Sequence, residues 1–297
     1  MVPDNSPRID QGERMAQREI KARYAQAEAA ELWDRAREYA QELDETPAFL
    51  HEVGWLAQKV SGYQSISDPR ATEGITRESW TLAAEAYAAI FAVTRAPIGS
   101  TVHCPVMGDR NLQSGEVPRH YASVETWLDA IWLSIICRNE RELLNLCSIP
   151  ADWLRESGGA QVDSVVFQWA NTLQSYFTKA PGFLDLLYAT MEETAPEELT
   201  VSPHYILQIA YPAMELLYHL SQQDSTGFNE ALEEALNLHH HFWTSDPELA
   251  GSPYGFTAKG PLALACIAED MGMQVTVESE YLPHSMIKGF WLPGRQR

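Results

Sequence analysis

Histidine is the side chain best suited to acid–base or metal chemistry near neutral pH, and three of the nine are consecutive: His239-His240-His241. Neighbours on a helix point about 100° apart, so three in a row cannot converge on one metal ion. His239 falls on the apolar stripe of Phe228, Leu232, Ala235 and Phe242 and is expected in the core. His241 falls on the polar stripe of Glu230, Glu234 and Asn237 and is expected in solvent. Glu215 and His219, one turn apart, are expected to form a local ion pair. Other chemistries leave recognisable spacings, and these are missing. No histidine has Glu three residues before it, as a di-iron carboxylate site needs. His51-Glu52 continues as Val-Gly-Trp, without the second histidine of a zincin. There is no His-Asp or Asp-Asp pair, G-x-S-x-G elbow, phosphate loop or G-x-G-x-x-G turn. The expectation is a protein that is not an enzyme and holds no metal or cofactor.

The elements that would position these residues have mostly helical period. Asp10 is placed to cap a first helix to about Leu43, with Ile20, Tyr24, Ala27, Leu32, Tyr39 and Leu43 inward and Trp33 and Ala36 widening the stripe. Pro47 suits the first turn of a second helix carrying Leu50, Val53, Leu56, Ala57 and Val60, which Gly62 and the SISDP stretch should end. A third follows Thr76, with Trp80, Ala84, Tyr87, Ala88 and Phe91 on one side. Residues 101–113 read as a hairpin around Gly108-Asp109, with Pro105 confining its first arm to an edge. Further helices are expected over 123–136, 141–146, 151–156, 163–179, from Pro181, 203–222, 226–243 and 260–270, with a short one after Pro283. Residues 274–278 alternate around Val275 and Val277 and are expected to form a strand that could pair with the hairpin. Trp80, Trp127 and Trp169 sit on apolar stripes and read as packing residues rather than a ligand box. The expected architecture is all-α: one domain over residues 1–297, built of antiparallel helical hairpins with a minor β element, and residues 1–9 a flexible tail.

The chain has 297 residues, 45% hydrophobic and 21% charged, which excludes a disordered protein. With 21 bases against 41 acids its net charge is −20, which argues against nucleic-acid partners and anionic membranes and favours a basic protein partner. The opening MVPDNSPRID has no apolar core, so no signal peptide is expected, and no run approaches a membrane span. Cys104, Cys137, Cys147 and Cys266 form no CxxC pair and read as reduced core residues of a cytoplasmic protein. The charge is also uneven. Between Lys179 and Lys259 no base occurs, while twelve of the 41 acids fall there. Like charges at helical spacing destabilise a helix, so this face needs an explanation: solubility, or docking of a basic protein. The candidate partner-binding residues are Glu193, Glu197, Glu198, Glu230, Glu233 and Glu234.

Three stretches then carry a family resemblance: SVETWLDAIWLSIICRNERELLNLCSIPADWLRESG (123–158), ILQIAYPAMELLYHLSQQDSTGFNEALEEALNLHHHFWT (206–244) and GPLALACIAEDMGMQVTVESEYLPHSMI (260–287). In these the chain resembles the immunity protein 49 family, a helical family found beside toxins in bacterial polymorphic-toxin systems. ESEYLP, residues 278–283, is the most specific piece. The resemblance implies a cytoplasmic antidote that binds and blocks a cognate toxin, and an acidic surface suits a basic target such as a nuclease. A helical scaffold or adaptor for a cellular protein is the alternative, and a helical enzyme without a recognisable motif comes last.

Overall fold

The computed structural model describes residues 11–292, with side chains from residue 21 onward. The expected tail over 1–9 and the Asp10 cap lie outside the described residues. Helix α1 (Gln11–Gln41) packs along α2 (Leu50–Ser67), and α2 along α3 (Gly74–Arg95). The inner face of α1 is Ala25, Ala29, Trp33, Ala36 and Ala40, continued by Leu43 in the turn that follows. Their steps of three and four make one seam, and alanine lets α2 approach closely. Of the expected stripe, Trp33, Ala36 and Leu43 are buried and Leu32 and Tyr39 pack half-buried against the core, but Tyr24 is 60% exposed and Ala27 is in solvent; the side chain of Ile20 lies outside the described residues. Gly62 does not end α2 either. The helix runs on to Ser67, and a Cβ at Gly62 would collide with the Pro253 carbonyl oxygen. This glycine admits a crossing backbone.

The hairpin β1 (Thr101–Pro105) and β2 (Asp109–Gln113) is antiparallel, pairing Thr101 with Gln113 and Pro105 with Asp109. Helix α4 (Val124–Ile136) follows, capped by Ser123, whose Oγ accepts from the Thr126 N–H. It is buried on most sides, and Trp127, at 0% exposure, donates its indole N–H to the Leu146 carbonyl at 3.0 Å. Short helices α5 (Glu140–Cys147) and α6 (Ala151–Glu156) lead to α7 (Ser164–Phe177) and α8 (Phe183–Glu192).

The helix expected over 203–222 is continuous but not uniform. α9 (Pro203–Tyr205) opens into a π-turn over Ile206–Ala210, then resumes as α10 (Tyr211–Ser221). The cause is Pro212: a proline lacks the N–H for the residue four before it and its ring crowds that carbonyl, so the turn widens. The Tyr211 N–H bonds to the Ile206 carbonyl instead. α11 (Ser225–Thr244), α12 (Pro247–Ala250), α13 (Lys259–Asp270) and α14 (His284–Ile287) complete the chain. The architecture is mainly α, with a two-stranded sheet as its β component among the described residues. One contiguous set of buried apolar side chains runs from Ala29 to Trp291.

The strand expected over 274–278 is not formed. These residues are extended but lie on α11, where Asn229 takes the place of a neighbouring strand. Its Nδ2 donates to the Gln274 carbonyl at 2.8 Å, and its Oδ1 accepts from the Thr276 N–H at 2.7 Å. The alternation is real, with Val275 and Val277 half-buried, but it serves packing on a helix. ESEYLP forms the tight turn that follows, with Ser279 bridging Leu282.

Candidate functional site

The six candidate glutamates are all exposed, and they occupy two places. Glu230, Glu233 and Glu234 project from α11, a helix fixed at its start by Asp224. The Asp224 carboxylate accepts from the Gly227 N–H at 3.0 Å and meets His219 Nδ1 at 3.1 Å. His219 therefore pairs with Asp224, not with Glu215 as its spacing suggested; the turn after α10 brings Asp224 to the ring. Glu230 and Glu233 line a cleft of about 450 Å³ with Glu278 of the extended segment, and no lysine or arginine lines it. Glu193, Glu197 and Glu198 lie where α8 runs into the following turn. Glu193 and Glu198 line a second cleft with Glu192, Asp163 and Arg155. Arg155 comes from outside the base-free stretch, so this group shares its cleft with a cation that the sequence count could not assign to it.

Asp163 organises that second region. Its carboxylate accepts from the backbone N–H groups of Thr200, Val201 and Ser202 at 2.7 to 3.0 Å and from the Thr200 hydroxyl at 3.1 Å. Burial raises its pKa, but these donors outweigh burial and hold the group below the ordinary aspartate value.

The three adjacent histidines diverge. His239 is 5% exposed, and its Nε2 donates to the Gly255 carbonyl at 2.9 Å. Burial drops its pKa to about 4, so the ring is neutral at pH 7. His240 Nδ1 bonds the Tyr281 hydroxyl at 2.7 Å, and His241 is in solvent. Tyr281 also packs edge-on against His239, at 5.0 Å between ring centroids. ESEYLP thus clamps the end of α11, which gives this string a structural role. Among the described residues, no group of three or more His, Cys, Asp or Glu side chains could hold a metal ion.

A third concavity was not legible in the sequence. It is a cleft of about 430 Å³ between α4, α7, the π-turn and α11. Trp132, Trp169, Trp243, Ile206 and Met214 form its walls, so Trp169 is both a core residue and a wall. At its polar end Lys259 donates to Asp129, whose other oxygen accepts from Gln58 Nε2 at 3.1 Å. Gln58 in turn accepts from the buried Tyr87 hydroxyl at 3.1 Å. Glu125, one turn before Asp129, has its pKa raised by partial burial and by the Asp129 charge. The one available signal was Lys259 itself, the base that closes the 79-residue acidic stretch.

With this geometry in place, the comparison with known families is decisive: the family model for immunity protein 49 matches residues 68–286. The chain belongs to the immunity protein 49 family. The matched stretch contains all six glutamates, the central cleft's Asp129 and Lys259, and the ESEYLP turn; α1 and α2 precede it. No curated protein and no solved structure matches the chain. Among the described residues no helix is long and apolar enough to cross a membrane.

Proposed function

We propose that this member of the immunity protein 49 family is a cytoplasmic, non-enzymatic antidote that binds a cognate polymorphic toxin and covers a basic surface on it, such as that of a nuclease. The observation that carries the reading is the α11 face. Glu230, Glu233 and Glu234 are exposed on one helix, and the cleft that Glu230 and Glu233 line with Glu278 contains no lysine or arginine. Like charges held together cost helix stability, and a basic partner would relieve that cost on docking. Uncompensated charge at an interface acts first through steering, which raises association rates by roughly 10–10³-fold. Glu193, Glu197 and Glu198 are assigned to the same interface as a weaker contribution.

The test is coexpression with a candidate cognate toxin. The expected result is rescue of growth together with a stable complex on size exclusion. If the toxin kills equally with and without this chain, and no complex forms, the reading fails.

A further inference from the structure

The central cleft adjoins a second concavity, of about 580 Å³, between α2, the turn before α4 and α4 itself. Glu125, Asp129 and Tyr254 line both and form the wall they share. Glu125 and Asp129 stand one turn apart on α4, where two carboxylates repel. Asp129 is matched by Lys259. Glu125 is exposed and makes no ion pair among the described residues; its carboxylate accepts from the Ser123 hydroxyl. No lysine or arginine lines the second concavity, and the one base lining the central cleft is Lys259. The shared wall therefore carries one unmatched negative charge, and it carries it among aromatic rings that reach the surface. Tyr205 is 39% exposed, and Trp243 and Tyr254 are half-buried. The chain's own lysine shows what these rings accept: the Lys259 ammonium lies 5.8 Å from the Tyr254 ring centroid, within cation–π range.

We propose that this wall seats an arginine side chain of a basic protein partner, with the guanidinium on Glu125 and against the aromatic rings. The toxin reading supplies the protein that carries the arginine; the seat itself rests on the wall. A guanidinium is planar, stacks on aromatic faces and bonds a carboxylate through two N–H groups at once. Its methylene stem has Val162 and Ile209, both half-buried in the central cleft, to lie along. An anion is repelled by Glu125. A second copy of this chain is disfavoured as the occupant, because two copies of net charge −20 repel. None of the six candidate glutamates lines either cleft, so this contact is separate from the α11 face.

The experiment titrates the purified full chain with N-acetyl-arginine methylamide and with its lysine and citrulline counterparts, by protein-observed NMR. Citrulline keeps the shape of arginine and lacks its charge. The arginine probe is expected to shift the Trp243 and Tyr205 signals and to bind about tenfold more tightly than citrulline and about threefold more tightly than lysine. Glu125→Gln should weaken the arginine probe about tenfold. Glu38→Gln makes the same change in net charge on α1 and should leave it unchanged. Both positions are exposed, so both variants are expected to fold. Citrulline or lysine binding as tightly as arginine, or equal losses in the two glutamine variants, overturns the proposal. A second arm measures dissociation of the complex with a candidate cognate toxin, which Glu125→Gln should speed about tenfold. If the probe results hold and no toxin binds, the arginine seat stands and the toxin reading fails. If a toxin binds and Glu125→Gln leaves its dissociation unchanged, the toxin reading stands and the proposal is overturned.

Discussion

The α11 face and the central cleft use carboxylates in opposite ways. On α11, Glu230, Glu233 and Glu234 are exposed, and the cleft beside them holds no base. In the central cleft Asp129 is held between Lys259 and Gln58, with its side chain 30% exposed and that of Lys259 18%. The first arrangement leaves a field that reaches solvent and screens with salt. The second cancels its own field and leaves a polar anchor in an apolar wall. Charge count along a chain therefore locates surfaces that attract, but it is blind to sites where opposite charges meet from distant segments.

The largest expected effect tests the buried side of this contrast. His239 also lines the central cleft, and burial drops its pKa from 6.5 to about 4. Between those values the unfolded chain binds the proton and the folded one does not, so His239 makes stability fall as pH drops from 6.5 towards 4. The span is about 3 kcal/mol. Glu85 works in the opposite direction: burial raises its pKa to about 7, so its contribution declines as pH rises from 4.5 to 7. The measurement is therefore a difference. Urea unfolding of the wild type and of His239→Gln, which keeps a donor for Gly255, should diverge in slope between pH 4 and 6.5. Parallel profiles would mean that His239 is protonated in the fold. Next in size is Asp129→Ala, which leaves Lys259 and Gln58 without their acceptor. Since the pair is partly exposed, the expected loss is about 2 kcal/mol rather than that of a fully buried pair, read from the same denaturation curves.

Why one region was legible and the other was not follows from the residues. Helix positions, the Thr101–Gln113 hairpin and the burial of His239 depend on local period, which sequence carries. The acidic stretch is local too, so its glutamates were visible. The central cleft brings Gln58, Asp129 and Lys259 together from α2, α4 and α13, and no spacing records that meeting. Arg155 enters the second acidic cleft in the same way. Two local patterns mislead for opposite reasons. In α1 the expected stripe takes in Tyr24 and Ala27, which are exposed, and passes over Ala25, Ala29 and Ala40, which are buried beside Trp33 and Ala36. At 274–278 the alternation is correct, but the partner is an asparagine on a helix rather than a strand.

The remaining predictions address the exposed side. Reversing Glu230, Glu233 and Glu234 to Lys should slow association with the cognate toxin by about 10- to 30-fold at low salt. It should also flatten the dependence of the on-rate on ionic strength and shift stability little, since exposed charges contribute little. Stopped-flow association across a salt series checks this, and an unchanged on-rate with unchanged salt dependence would sink the acidic-face model. Glu193→Lys with Glu198→Lys is expected to have the smallest effect, about two- to threefold on the same rate. Arg155 already shares that cleft, so its field is partly offset before any mutation is made. Replacing Arg155 with Gln removes the offset and should make the double reversal more damaging, bringing it closer to the α11 result. If the double reversal matches the α11 triple while Arg155 is intact, a cation in the cleft does not weaken its attraction, and the distinction between the two acidic regions is wrong.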